Sequence, residues 1–442
     1  MKYSKFGQLH TRLKPRCVAV CLTMFFLQAC GASDVAKVST PIADESPLSV
    51  GFIAFGDSGY HADYIEEEDY LPPVRTLEEF NELARQDWLE DHRAAADFTP
   101  PVPHFLEQHG GYIEASGLTP VATAMKKHCL SVECEFSVML GDNIYPDGAT
   151  MGTDGFDDEE RFRKLFEVPF GDMGAGNDDY RIYVAMGNHD WNTSREGAMA
   201  QIEYMEKNAP FYVDSNIYRV KPPAGRGEIE LFIIDTAVLL ASTTVMEDSL
   251  NPDGSEGVSK EVEDFESWVK PATELELNMM HWLEKGLRES TARWKFVIAH
   301  HPIWSTGGSK YEQARALRPL LMPAMCRYAD AYFAGHEHAL ELHEDSCAKY
   351  SETSEVTPLT EIISGAAAKQ RGVNTGFMRY QTENYPENNT IWAKGMAWGF
   401  AHLQLEGDTA TVSMFTTPND GSGEVVPEMQ HQFQRRSGSS AK

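Results

Sequence analysis

The chain has 442 residues, 42% hydrophobic and 24% charged, with 34 Gly and 23 Pro. These ordinary globular proportions exclude disorder, collagen and a coiled coil as readings of the whole. Acids outnumber bases, 67 to 38, for a formal net charge of −29. Such a body repels nucleic acid and anionic lipid and argues against either as a general partner, while an anionic small molecule stays admissible wherever metal ions or local cations override the field.

The basic residues Lys2, Lys5, Arg12, Lys14 and Arg16 precede the apolar run Cys17–Leu27. That run is too short to span a bilayer and has the layout of a secretory signal, which predicts an exported protein. Leu27-Gln28-Ala29-Cys30 resembles a bacterial lipobox, so Cys30 is a candidate lipidated first residue and the expected membrane link; simple cleavage after Ala32 is the alternative. The division expected is a signal over 1–29, a tether over 30–48, a main domain over 49–420 and a flexible tail over 421–442. After export four cysteines remain, Cys129, Cys134, Cys326 and Cys347. An even count in an oxidising compartment suggests two disulfides, and proximity favours 129–134 with 326–347.

From Ser49 onward an α/β rhythm sets in. Short apolar runs bounded by Gly and Asp read as buried strands: Val50–Phe55, Phe136–Leu140, Arg181–Met186, Leu231–Ile234, Trp294–Ala299 and Ala331–Ala334. Residues 60–115 break the rhythm with Glu66-Glu67-Glu68-Asp69, Pro72-Pro73 and Pro100-Pro101, and read either as an acidic surface insertion with one or two helices or as a wall over a site. Thr273–Arg288 reads as a single helix, with Leu275, Met279, Trp282, Leu283 and Leu287 on one face and Thr273 and Glu276 at capping-box spacing. Tyr311–Tyr328 is a second helix. Thr360–Thr416 turns to β hairpins, including Gly399–Leu405 and Ala410–Phe415, and the last twenty-odd residues are polar enough to fray.

Five polar clusters stand directly after five of these strands: Gly56-Asp57-Ser58-Gly59, Gly141-Asp142-Asn143-Ile144-Tyr145, Gly187-Asn188-His189-Asp190, His300-His301 and Gly335-His336-Glu337-His338. Singly each is weak, because Gly-Asp after a strand is usually a turn and a buried His usually has only a hydrogen-bond partner. Together, at the carboxyl ends of strands, they converge on one place. Four oxygen donors (Asp57, Asp142, Tyr145, Asn188) and three imidazoles (His300, His336, His338) suffice for two ions sharing a carboxylate, and the donor set suits Fe, Zn or Mn.

The five blocks resemble the calcineurin-like metallophosphoesterase superfamily and, within it, the purple acid phosphatases, whose motifs are GDxG, GDxxY, GNH(D/E), VxxH and GHxH. Here they stand as Gly56–Gly59, Gly141–Tyr145, Gly187–Asp190, Val297–His300 and Gly335–His338. Trp282-Leu283, Ser364-Gly365-Ala366 and Gly399-Phe400-Ala401 are similar to the small, single-domain members. The resemblance implies a four-layer fold, a two-sheet β-sandwich flanked by helices. It also implies Fe(III) held by Asp57, Tyr145 and His338, a divalent Fe, Zn or Mn held by Asn188, His300 and His336, and Asp142 as the bridge. Gly59 stands where general family members place a His ligand, and Tyr145 replaces it; a phenol of pKa ~10 is ionised by a strongly charged ion such as ferric iron.

The implied reaction is hydrolysis of small phosphate monoesters by a metal-bound hydroxide, with His189 binding the phosphate or protonating the leaving oxygen. Asp190 orients its neighbours. His301 either takes part directly or fills the turn before Pro302. Family members often carry a further substrate-facing His nine residues after the VxxH ligand; here that position is Ser309, and Lys310 beside it is the candidate replacement. The competing readings are a Zn or Mn phosphodiesterase or nucleotidase on the same scaffold, and, from another class, a non-catalytic lipid-anchored binding protein.

Overall fold

The computed structural model describes residues 47–65, 74–107, 109–153, 155–241, 244–246, 262–264, 269–308, 310–350 and 357–436. The expected signal, Cys30, the acidic run at 66–69 and Pro72-Pro73 lie outside the described residues. Among those described, two seven-stranded sheets dominate. Across the first, the order is Val426–Gln434, Thr409–Thr417, Trp398–Glu406, Ser49–Phe55, Phe136–Leu140, Ile182–Ala185 and Phe211–Tyr212. Across the second it is Asn388–Lys394, Leu340–Asp345, Leu359–Ser364, Ala331–Ala334, Trp294–Ile298, Ile229–Ile233 and Tyr218–Val220.

Each sheet has a parallel centre. Ser49–Phe55 pairs parallel with Phe136–Leu140, which pairs parallel with Ile182–Ala185. In the other sheet Ile229–Ile233, Trp294–Ile298, Ala331–Ala334 and Leu359–Ser364 run parallel in turn. Apart from Ser49 these strands are buried along their whole length, which is why their sequences are mostly apolar rather than alternating. The sheets meet through aromatic side chains. Phe52 stacks on Phe136 in its own sheet at 4.5 Å between ring centroids and reaches Phe296 and Phe333 of the other at 5.9 and 5.8 Å. A ring buried this fully contributes about 2–3 kcal/mol. Helices cover the outer faces, giving the expected αββα arrangement.

The capping box expected at Thr273 is present, its hydroxyl accepting from Glu276 N. The helix it opens is broken, however: Glu274–Leu277 stops at Asn278, whose backbone (φ −110°, ψ 14°) leaves the helical region, and Met279–Glu289 starts afresh. Asn competes for backbone groups and so disrupts a continuous run. Tyr311–Tyr328 is helical as read. The β region from 360 onward is interrupted by an unforeseen helix, Thr375–Asn384, whose cap Asn374 accepts from Phe377 N at 3.0 Å.

The tail expected to be flexible from 421 is in fact an edge strand over Val426–Gln434, paired antiparallel with Thr409–Thr417. Its end is anchored by Arg436, only 4% exposed, whose guanidinium donates to the carbonyls of Met325, Cys326 and Ala329. A polar strand at a sheet edge lacks the apolar signal by which buried strands are recognised. Both expected disulfides form, Cys129–Cys134 and Cys326–Cys347. The 60–115 segment holds the helix Leu77–Glu90, capped by Thr76 and Glu79, and a hairpin of Pro103–Leu106 with Gly111–Glu114.

Candidate metal centre

The five polar clusters follow the parallel strands of both sheets, three from the first and two from the second. Their convergence depends on tight turns. Asp57, Asp142, His336 and His338 all have positive φ, between 47° and 71°, a region that costs a non-glycine residue on the order of 1 kcal/mol or more. Two glycines make room. A Cβ on Gly187 would lie 2.2 Å from Asp142 Oδ1, and one on Gly335 would lie 2.5 Å from Asp57 Oδ2. Backbone therefore presses directly on the carboxylates, as the Gly that precedes each polar residue requires.

Asp57 and Asp142 are fully buried. The Tyr145 hydroxyl is 2.6 Å from Asp142 Oδ2, 2.9 Å from Asp57 Oδ1 and 3.0 Å from His338 Nε2. His300 Nε2 is 3.2 Å from Asp142 Oδ1 and 3.0 Å from His336 Nδ1. Two clusters of metal-ligating atoms result, Asp57 with Asp142 and His338, and Asp142 with His300 and His336, and Asp142 belongs to both. Asn188 opens the short helix Asn188–Trp191, and its side-chain oxygen is buried without a hydrogen-bond partner.

Tautomers follow from the partners. His300 Nδ1 faces the Leu140 carbonyl at 2.8 Å, which only accepts, so that nitrogen carries a proton and Nε2 is the one turned towards Asp142 and His336. His336 Nε2 faces Gln313 Oε1 at 2.8 Å and donates there, leaving Nδ1 bare. Without a metal, a proton on His300 Nε2 bridges this nitrogen to His336 Nδ1 and the Asp142 carboxylate; a cation among the three would take that proton's place. The phenol has one proton for two carboxylates. Donor set, spacing and the orphaned Asn188 oxygen therefore all fit a pair of metal ions.

The titrations carry the same message. Burial, then the charge of Asp142, raises the Asp57 carboxyl to about 7. Burial pushes Tyr145 well above the ordinary phenol range, and Asp142 and Asp57 push it further. Burial also raises Asp142, but His300 and His189 outweigh it and hold that carboxylate below its usual range. His300 goes the other way: burial lowers it, yet Asp142 lifts it to about 9.

Of the remaining expected residues, His189 is half-buried. Its Nδ1 donates to the Pro146 carbonyl, its ring lies 4.3 Å from that of Tyr145, and Nε2 is 4.0 Å from Asp142 Oδ2. The Asp190 carboxylate accepts from Asn143 N, Ile144 N, Gly187 N and the Asn143 amide. His301 is fully buried against the His336 ring at 4.3 Å, with Nδ1 at 2.8 Å from Thr236 Oγ1 and Nε2 unpartnered. Lys310 lies close enough to act electrostatically on His189, His301, His336 and His338.

Two cations and an amide at the site escaped the sequence reading: Lys369, Arg371 and Gln313. Arg371 donates to the His336 carbonyl at 3.0 Å and lies 3.6 Å from Glu337. Only the position of Lys369 and Arg371 just after Ser364-Gly365-Ala366 could have flagged them.

Two facing sheets that deliver carboxylates, a phenol and imidazoles to one buried point define the metallophosphoesterase class of fold. The chain belongs to the calcineurin-like phosphoesterase family, whose sequence model matches residues 116–340. Its curated relatives include purple acid phosphatase 4 of Arabidopsis thaliana, 28% identical over 269 residues, which is 59% of this chain and 66% of that protein. Purple acid phosphatase 17 of the same plant is 28% identical over 252 residues, 56% and 63% of the two chains. The chain thus spans slightly under two thirds of each relative. Among solved structures, GAP50, the anchor in the inner membrane complex of Plasmodium, shares the fold with a TM-score of 0.52 at 14% identity, over 89% of this chain and 91% of that one.

Proposed function

We propose that the chain is an exported phosphomonoesterase of the purple acid phosphatase type. One observation carries the reading: the Tyr145 hydroxyl lies within 3.0 Å of Asp57, Asp142 and His338 at once. Asp57, Tyr145 and His338 would hold ferric iron. Asn188, His300 and His336 would hold a divalent Fe, Zn or Mn, and Asp142 would bridge the two. When bound, the pair supplies charge neutralisation for a phosphoryl group and acidifies a water.

The chain's own groups do the rest. Nδ1 of His189 is tied to the Pro146 carbonyl, so any proton passed to a leaving alcohol sits on Nε2, the nitrogen nearer Asp142. Asp190 fixes the turns that carry Asp142 and Asn188 through its four hydrogen bonds. Lys310 adds positive charge on the side of the histidines. His301 wedges the His336 ring so that Nδ1 keeps its direction. A small phosphate ester is the substrate class. Export is supported by the secretory layout of residues 1–29 and by two disulfides; among the described residues no helix is long and apolar enough to cross a membrane.

The test is elemental analysis and a visible spectrum on protein purified without chelators, with parallel assays on p-nitrophenyl phosphate and its bis ester. The expected result is two metals per chain including iron, a tyrosinate-to-iron band, and preference for the monoester. Zinc or manganese alone with no band defeats the ferric assignment, and preference for the diester defeats the monoesterase reading.

A further inference from the structure

Besides the start of the Tyr311–Tyr328 helix, which brings Lys310 and Gln313, the loop after Ser364 reaches the centre without belonging to a strand-end cluster. It brings Lys369 over the site: the ammonium lies 4.9 Å from the ring centroid of Tyr145 and 5.1 Å from that of Tyr60. Tyr145 belongs to the ligand cluster itself, so Lys369 stands at its edge. The ammonium also lies in the field of Glu114 first, then of Arg371, Asp142 and Asp57. Among the described residues it makes no hydrogen bond and no ion pair within 4 Å. In a chain of net charge −29, a half-buried ammonium packed on two aromatic faces, with Glu114 acting on it only from beyond ion-pair distance, is unusual. Arg371, two residues on, by contrast donates to the His336 carbonyl and pairs with Glu337.

The loop is also built to hold that position. Gln370 N donates to Glu114 Oε1 at 3.1 Å, and the Tyr60 hydroxyl donates to the Glu114 carbonyl at 2.8 Å. Arg93 donates to the Gly372 carbonyl at 2.9 Å, and a Cβ on Gly372 would lie 2.0 Å from the Trp88 ring. Tyr60, Trp88, Arg93 and Glu114 all come from the acidic 60–115 segment. That segment therefore serves as the brace of the loop rather than as a loose surface insertion.

We propose that Lys369 is a substrate-binding residue whose ammonium takes a phosphate oxygen of the ester beside the Tyr145 cluster. Phosphate supplies the acceptor that the protein withholds, and the aromatic pair keeps the ammonium partly dehydrated and therefore strongly attractive to an anion. The inference rests on the phosphatase reading above, and it adds a cation that neither the motifs nor the ligand set contain.

The experiment compares metal-loaded full-length wild type with Lys369→Met and Lys369→Arg. KM and kcat are measured on p-nitrophenyl phosphate, and binding of inorganic phosphate is measured by equilibrium dialysis, with metal content and melting midpoint alongside. The loss of one charge-assisted hydrogen bond predicts that Lys369→Met weakens phosphate binding and raises KM about tenfold, with a smaller change in kcat. Metal content stays at the wild-type value, and Lys369→Arg recovers most of the affinity. Wild-type phosphate affinity in Lys369→Met overturns the inference. So does a Lys369→Met chain that loses metal or fails to fold while Lys369→Arg matches wild type only in stability, because the lysine is then a structural plug. A wild-type chain that takes up no metal and hydrolyses no ester overturns the phosphatase reading and this inference with it.

Discussion

Replacing Tyr145 by Phe removes one oxygen and leaves the ring. In the metal-free protein that oxygen donates its single proton to one of two buried carboxylates, the nearer being Asp142 at 2.6 Å. Losing a charge-assisted hydrogen bond at full burial costs about 2–3 kcal/mol. At ~2.1 cal/mol/K per residue, unfolding of the unit 47–442 carries an entropy of roughly 0.8 kcal/mol/K, so the midpoint falls by about 3 °C. With metal the effect is of another kind. A site that binds a hundredfold more weakly forfeits about 2.7 kcal/mol of linkage at saturating metal, or roughly a further 3 °C. The assay is a thermal melt of wild type and Tyr145→Phe, each after chelation and each after reloading with iron and zinc, with the visible spectrum recorded on the reloaded samples. The variant is expected to lose the visible band, to retain less iron, and to gain less in midpoint on reloading. Equal spectra, equal iron and an equal gain would show that the phenol is merely packed, and the ferric assignment would go with it.

His189→Gln should slow hydrolysis of an alkyl phosphate about a hundredfold and of p-nitrophenyl phosphate much less, with metal content retained, because only the poor leaving group needs a proton; equal losses on the two substrates would remove His189 from that role. His402 is 6% exposed and held at about 4 by burial and then by the nearby His128. Its folded pKa lies below its unfolded one, so stability is lost as pH falls from 6.5 towards 4, by on the order of 3 kcal/mol. Urea midpoints at pH 7 and pH 4.5 should therefore lie closer together in His402→Gln than in wild type. The Cys326–Cys347 bridge closes a separation of 21 residues, which predicts that the double Ser variant loses about 3 kcal/mol; an unchanged urea midpoint would refute it.

The site was legible because its signal is local in sequence even though its parts are distant. A strand ending in Gly and then Asp, Asn or His marks a carboxyl end, and five such marks point to one place. What stayed hidden has no such mark. Lys369 reaches the site from a loop whose position depends on Trp88, Arg93 and Glu114, the last two bonded to it across 279 and 256 residues of sequence. Gln313 acts on His336 from the face of a helix and looks like any half-buried amide. The edge strand Val426–Gln434 buries little beyond Phe433, so its polar sequence read as a tail. Asn278 divides a helix whose apolar spacing is continuous across the break. For Lys369 and Gln313 tertiary contacts decide what no local pattern shows, whereas the break at Asn278 is a local competition for backbone groups.

The metal-free centre should announce itself in the pH dependence of stability. Burial raises Asp57 to about 7 and Asp190 to about 8. For a carboxyl whose folded pKa exceeds its unfolded one, stability is fully present below about pH 4 and is lost as pH rises through the folded value. Asp57 alone accounts for a loss on the order of 4 kcal/mol across that window. Cations at the centre remove the cost, since they favour the ionised carboxylates and the bare nitrogens of His300 and His336. The gap between loaded and chelated protein should therefore widen as pH climbs from 4 to 8. Groups remote from the centre, such as Asp330 at about 6, contribute equally to both forms and cancel in the difference. Urea midpoints of the two forms at pH 4.5, 6 and 7.5 measure it. A gap that stays constant or narrows would mean that the clustered carboxylates gain nothing from cations, which is incompatible with a metal centre at Asp57 and Asp142.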